Sequence, residues 1–164
     1  MSDKDTRFRI SGPAIGAGHD VLLIDAGRRW HLDWTTSGLY DDGWTNENVV
    51  ARVRVFPAPG QRGARLRTLT IAARAPDNIP ERVVTATSNA GSWRATTTNT
   101  STATGSLPVC VPARGWTEVR IRTPDASWAL GSIDTLAHSF TSRRVGVAVG
   151  EIALADEIGG PCRP

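Results

Sequence analysis

The chain has 164 residues, six of them tryptophan, and its 19 Lys and Arg outweigh 16 Asp and Glu to give a net charge of +3. That length builds one domain with a real core and is too short for two comfortable ones. No apolar run is longer than Val21 to Ile24, which falls far short of the roughly 18 residues that cross a membrane as a helix.

The chain begins "MSDKDTRFRI", with none of the apolar stretch of a secretory leader. That leaves either a cytoplasmic protein or a domain of a longer chain whose targeting element lies elsewhere. Residues 1–18 read as an irregular, partly disordered lead-in ending in "GPAIGAGH". From residue 19 to 164 a single domain is expected, and period-2 alternation dominates it. Strands are predicted over 21–25, 29–34, 49–56, 65–74, 82–88, 92–98, 107–111, 116–123 and 144–154. Turn clusters such as "APGQRG", "APDNIP", "SNAG" and "PARG" separate them. No stretch holds a helical period over ten residues. About nine short strands with little or no helix predict an all-β antiparallel sandwich of the jelly-roll type. The Thr-rich run "TTTNTSTATGS", 96–106, reads as a strand end followed by a mobile hairpin loop.

Lys4 is the only lysine, so the basic charge is almost wholly arginine. Arg52 with Arg54, Arg65 with Arg67, and Arg120 with Arg122 stand two apart on predicted strands, so each pair shares a face. They read first as solvent faces of half-buried strands; a basic sheet attracting anionic polymer is the alternative. No nucleic-acid motif accompanies them, and no nucleic-acid partner is expected. Cys110 and Cys162 have no metal-type spacing. In an extracytoplasmic domain they would form a disulfide, worth about 4 kcal/mol through the long loop it closes. Two buried free thiols are the alternative, but Cys162 sits in a "GGPCRP" tail unsuited to a core.

The runs "GARLRTLTIAARAP", "RVVTATSNAGSWRATTTN", "LPVCVPARGWTEVRIRTPD" and "SRRVGVAVGEIALAD" together resemble the galactose-binding-like jelly rolls. Such domains occur as carbohydrate-binding modules and as extracytoplasmic parts of actinobacterial membrane glycosyltransferases. The resemblance spans about residues 38–155 and rests on strand patterns, with no catalytic signature. It implies a non-catalytic glycan-positioning module of the bacterial cell envelope, within a larger membrane glycosyltransferase. The implied partners are that parent enzyme and an envelope polysaccharide such as arabinan, galactan or mannan. The alternative class is a structural or protein–protein interaction sandwich without a glycan ligand.

Tryptophan suits glycan binding because an indole face packs against sugar C–H groups while its N–H stays hydrogen-bonded. Trp30, Trp34 and Trp116 read as core; Trp44, Trp93 and Trp128 stand beside Gly, Ser or Asp at loops and strand ends and are the ligand candidates. Tyr40, Asp41, Asp42 and His138 are expected to complete that site. Asp41, Asp42 and Glu47 are also candidate ligands for a structural calcium, which takes hard oxygen donors from flexible loops. No cofactor is otherwise required, and Asp41-Asp42-Gly43 also makes an ordinary turn by itself. An enzyme is not expected. No pair among Glu81, Glu118, Glu151 and Glu157 stands out as the two flanking carboxylates of a glycosidase. There is no HExxH, GxSxG or P-loop.

Overall fold

Alternating apolar and polar side chains build two antiparallel sheets in the computed structural model, which describes residues 8–13, 22–25, 28–40, 42–46, 48–77, 79–128, 133–134, 139–140 and 144–164. The larger sheet holds β1 (Phe8–Pro13), β2 (Leu22–Asp25), β3 (Arg28–Ser37), β4 (Val50–Val55), β6 (Glu81–Thr87), β7 (Ser92–Thr98) and β9 (Thr117–Arg122). Its order is β1-β3-β4-β9-β6-β7, with β2 pairing on β3 beside β4. The smaller sheet has the order β14-β5-β8, from β5 (Arg65–Arg74), β8 (Ala103–Val111) and β14 (Ala148–Leu154). Two short ribbons join β10 (Ser127–Trp128) to β13 (Arg144–Val145) and β11 (Ile133–Asp134) to β12 (Ser139–Phe140). No helix occurs among the described residues, and the expected all-β sandwich is the fold that forms. The chain changes sheet after β4, β5, β7 and β8 and returns to the smaller sheet at β14, the interleaving of a jelly roll.

The β4 segment shows how the sequence sets the layers. Ala51, Val53 and Val55 are fully buried while Arg52 and Arg54 are exposed. On β9 the inward apolar residues are Val119 and Ile121, and on β6 they are Val84 and Ala86. Leu69, Ile71 and Ala73 of β5 and Leu107, Val109 and Val111 of β8 close the same core from the other sheet. Each fully buried Val, Leu or Ile stabilises the fold by about 1.5 to 3 kcal/mol relative to exposure. Trp34, expected in the core, is there.

Trp93 of β7 reaches across to the smaller sheet, where Gly105 of β8 makes room for it. A methyl group added at Gly105 would collide with the Trp93 ring at Nε1. Gly105→Ala is therefore expected to cost about 1 to 3 kcal/mol by overpacking. It should also push the indole towards water, read as a red shift of tryptophan emission.

Four local expectations need correction. Residues 8–13, read as part of the irregular lead-in, form β1 and pair along β3 from Phe8↔Thr35 to Pro13↔Trp30. A ten-residue β3 exposes a long edge of backbone donors and acceptors, and β1 satisfies it. Arg67 is not on a solvent face, because it shares the inward phase of Leu69 and Ile71; Arg65, at the start of the strand, stays half-exposed and donates to the Arg62 carbonyl. Arg67 is buried and donates from Nη2 to the Ala155 carbonyl at 2.7 Å. Burial pushes its guanidinium below the usual arginine range, opposed by the charges of Asp33 and Asp156.

The run 96–106 is not a hairpin loop. β7 continues through Thr98, and residues 99–102 turn a corner into the other sheet, where β8 begins. Thr98 Oγ1 accepts the Ser101 N–H at 2.9 Å, and Thr97 Oγ1 donates to the Ser101 carbonyl at 3.2 Å. Finally, the strand expected over 144–154 breaks at Gly146 and Val147. Both of their N–H groups donate to Thr45 Oγ1, at 3.0 and 3.1 Å. The Arg82 guanidinium takes the Val145 and Gly146 carbonyls at 3.3 and 3.2 Å. Side chains have replaced the ladder there, so the strand stops.

Candidate functional site

The loop between β3 and β4 folds on itself before it can display anything. Leu39 bridges Thr45, the Tyr40 N–H donates to the Trp44 carbonyl at 2.7 Å, and the Gly43 N–H donates to the Tyr40 carbonyl at 2.8 Å. Gly38 and Gly43 supply positive φ angles of 80° and 92° at its bends. At Gly38 a side chain would also strike the Val50 carbonyl. The loop is then stitched to the last strand: the Thr45 N–H donates to Val147 at 2.9 Å, and the Val149 N–H donates to Gly43 at 2.8 Å. Leu39 and Thr45 are fully buried beneath it. Val49, at φ 53°, leaves the loop in a left-handed conformation that a β-branched side chain rarely adopts. Its carbonyl accepts the Thr123 N–H at 3.2 Å, which ties the strained residue to the end of β9.

Of the expected site residues, the fold brings Tyr40, Asp42 and Trp44 into this one turn, with Asp42 exposed and Trp44 half-buried. The Tyr40 hydroxyl donates to the Arg144 carbonyl at 3.4 Å, and Arg144 is the register partner of Trp128. The backbone of Trp128 thus lies near the same turn. Trp93 does not join them, because β7 is three strands from β4 across the sheet, about 14 Å between backbones. Its ring is committed to the core edge over Gly105. Asp41, Glu47 and His138 lie outside the described residues. Among the described residues no three His, Cys, Asp or Glu side chains converge as a metal group, and two of the three candidate calcium ligands are not among them.

Trp116 was expected in the core and is not. It is 52% exposed, the more open of the two large apolar side chains left in solvent among the described residues. The Arg54 guanidinium lies over its ring at 5.1 Å from the centroid, and Phe56 meets it tilted at 6.4 Å. The signal that could have found it is the phase of β9. Counting by twos from Glu118, Arg120 and Arg122 leads back to Trp116, so all four share the outer face, opposite Val119 and Ile121.

That outer face is a row-by-row array of polar groups. Thr35, Arg54 and Glu118 stand in register in one row. Ser37, Arg52, Arg120, Thr87 and Ser92 form the next. Arg122, Thr85 and Arg94 form a third. Glu118 takes Arg120 at 2.9 Å and Arg52 at 3.5 Å. Such half-exposed pairs contribute little stability, about 0 to 1 kcal/mol each. Their effect is to gather two guanidinium groups around one carboxylate on the sheet face. Val83, Thr85, Arg94, Arg122, Thr123 and Pro124 line an open groove of about 340 Å³ beside them.

The Cys110–Cys162 disulfide forms as expected, with Cα atoms 5.9 Å apart. No helix among the described residues is long and apolar enough to cross a membrane. No protein-family model, curated protein or solved structure matches the chain.

Proposed function

We propose that the chain is a non-catalytic carbohydrate-binding module, working outside the cytoplasm as the glycan-positioning domain of a larger membrane glycosyltransferase in the cell envelope. The observation that carries this reading is Trp116: an indole half in solvent, braced by Arg54 and Phe56, at the rim of a sheet face set with Thr, Ser and Arg side chains. An aromatic platform supplies affinity for a sugar C–H face, and neighbouring polar groups supply orientation. The Tyr40–Trp44 turn is a second place on the same sandwich where an aromatic stands beside an acid. The disulfide supports an extracytoplasmic setting, since such bonds persist in oxidising compartments.

Titration with arabinan, galactan and mannan fragments, read by tryptophan fluorescence, is expected to give saturable quenching. Trp116→Ala should lose about 1 to 3 kcal/mol of that binding, in the manner of a truncated aromatic anchor, with unchanged circular dichroism. Trp44→Ala, run in parallel, tells whether the turn contributes, and a chelator arm tells whether calcium does. Silence across the whole panel from folded protein would favour the structural, protein-packing sandwich instead.

A further inference from the structure

Two pairs of outward arginines on the larger sheet differ in their partners. Arg52 and Arg120 bracket a carboxylate of their own, that of Glu118. Arg94 and Arg122, one row further along, have no ion pair or side-chain hydrogen bond among the described residues, and both are exposed. They stand on either side of Thr85, in register on β9, β6 and β7, so their backbones are two strands or about 10 Å apart. Between them lies the groove of about 340 Å³, whose other walls are Val83, Thr123 and Pro124. That volume is at the small end of the range for ligand pockets.

Counted over β4, β9, β6 and β7, the outward charges are Arg52, Arg54, Arg94, Arg120 and Arg122 against Glu118 and, at the far end of β6, Glu81. The opposite face of the sandwich has Thr68, Thr70, Thr104, Ser106 and Pro108 outward, and its charges, Arg74 and Glu151, are of opposite sign. Asp125, just past Pro124, pulls on Arg82 beneath the sheet.

We infer that this groove takes a carboxylate-bearing sugar residue of a linear anionic polysaccharide. The charge of the face selects an anion. A planar guanidinium offers a fork that matches a carboxylate, and the same face already holds the Glu118 carboxylate between two arginines. Val83 and Pro124 give the ring apolar contact, and the Thr85 hydroxyl stands midway to hydrogen-bond a sugar hydroxyl. Trp116 lies on the same face, about 20 Å from Arg122 along the line of β9, so a chain running along the strands meets both the platform and the groove. This inference rests on the carbohydrate-binding reading and adds the sign of the ligand's charge.

The test compares oligogalacturonate with neutral galactan by isothermal titration, on wild type, on the double variant Arg94→Gln with Arg122→Gln, and on Arg74→Gln from the smaller sheet. Oligogalacturonate is expected to bind wild type and Arg74→Gln alike, and to weaken about tenfold as salt rises from low to physiological ionic strength. The double variant should lose about tenfold or more in affinity for it while keeping its fold and its affinity for neutral galactan. Unchanged oligogalacturonate binding by the folded double variant overturns the inference. So does equal or tighter binding of single-stranded DNA, which would mark a surface indifferent to sugar. Galactan binding that depends on Trp116, with no response to oligogalacturonate, sinks the anionic ligand and leaves the module reading intact. Absence of both sinks the two together.

Discussion

Replacing Cys162 with serine is expected to lower the stability of the domain by about 4 kcal/mol, the loop-closure term for a bond of this span. The bond joins residues 52 positions apart and closes them on opposite sides of β5. Its tail partner has few other holds: the Leu66 N–H on the Gly160 carbonyl at 3.0 Å, the Gly159 N–H on Leu66 at 2.8 Å and the Cys162 N–H on Ala64 at 3.2 Å. Residues 155–161 are otherwise exposed. For a chain of this size the melting temperature should fall by roughly 12 °C. A reducing agent added to wild type should reproduce that loss and have no further effect on the variant. If Cys162→Ser and wild type share one denaturation midpoint under oxidising conditions, the bond contributes nothing to the folded state.

Arg82→Met is expected to cost about 3 kcal/mol, the next largest effect. Arg82 is on β6 but points inward, buried, and its guanidinium donates to the carbonyls of Asp125, Val145 and Gly146. Those carbonyls belong to the connection between β9 and β10, to the end of β13 and to the break before β14. Removing a charged donor leaves buried acceptors unsatisfied, at about 1 to 3 kcal/mol apiece before any relaxation. Burial pushes the Arg82 guanidinium below its usual range, with Asp125 pulling the other way, yet arginine stays charged at any pH where the fold is measured. Urea denaturation of Arg82→Met should show a lower midpoint with an unchanged slope. A midpoint equal to that of wild type would mean that water replaces the guanidinium at all three carbonyls. Arg82→Lys should recover only part of the loss, since one ammonium lacks the fork that spans them.

The sandwich was legible because its strands alternate cleanly. In β5 and β7 the expected bounds, 65–74 and 92–98, coincide with the observed ones. Where alternation was weak or interrupted, side chains reaching from elsewhere decided. Thr45 and Arg82 cut the last strand in two, and neither is a neighbour of residues 146–147 in sequence. Residues 8–13 gained strand character from the free edge of β3, a partner that local pattern does not contain.

The candidate site divides the same way. Backbone stitching made the Tyr40–Trp44 turn a corner of the sandwich as well as a display of side chains, and no local feature of "LYDDGWT" specifies its partner at residues 147–149. A bulky indole favours the core, but at Trp116 strand phase overrides bulk. An indole at the head of a strand takes whichever face its parity assigns, and here Glu118, Arg120 and Arg122 had already declared that face outward.

The tail lies beside β5, where Pro161 bridges Arg65, and Cys162 reaches past that strand to Cys110 on β8. Under tension this arrangement acts as a strap. A pull on Pro164 enters the fold at Cys162 and passes through the sulfur–sulfur bond into β8, so β14, enclosed within residues 110–162, carries little of it. The terminal strand cannot be peeled away pair by pair from its end. The load falls on the β5–β8 ladder, from Arg65↔Val111 to Ala73↔Ala103, whose pairs must yield together. Forced unfolding depends on the barrier to leaving the native state, so a reduced domain would give way at lower force when held by its C-terminus.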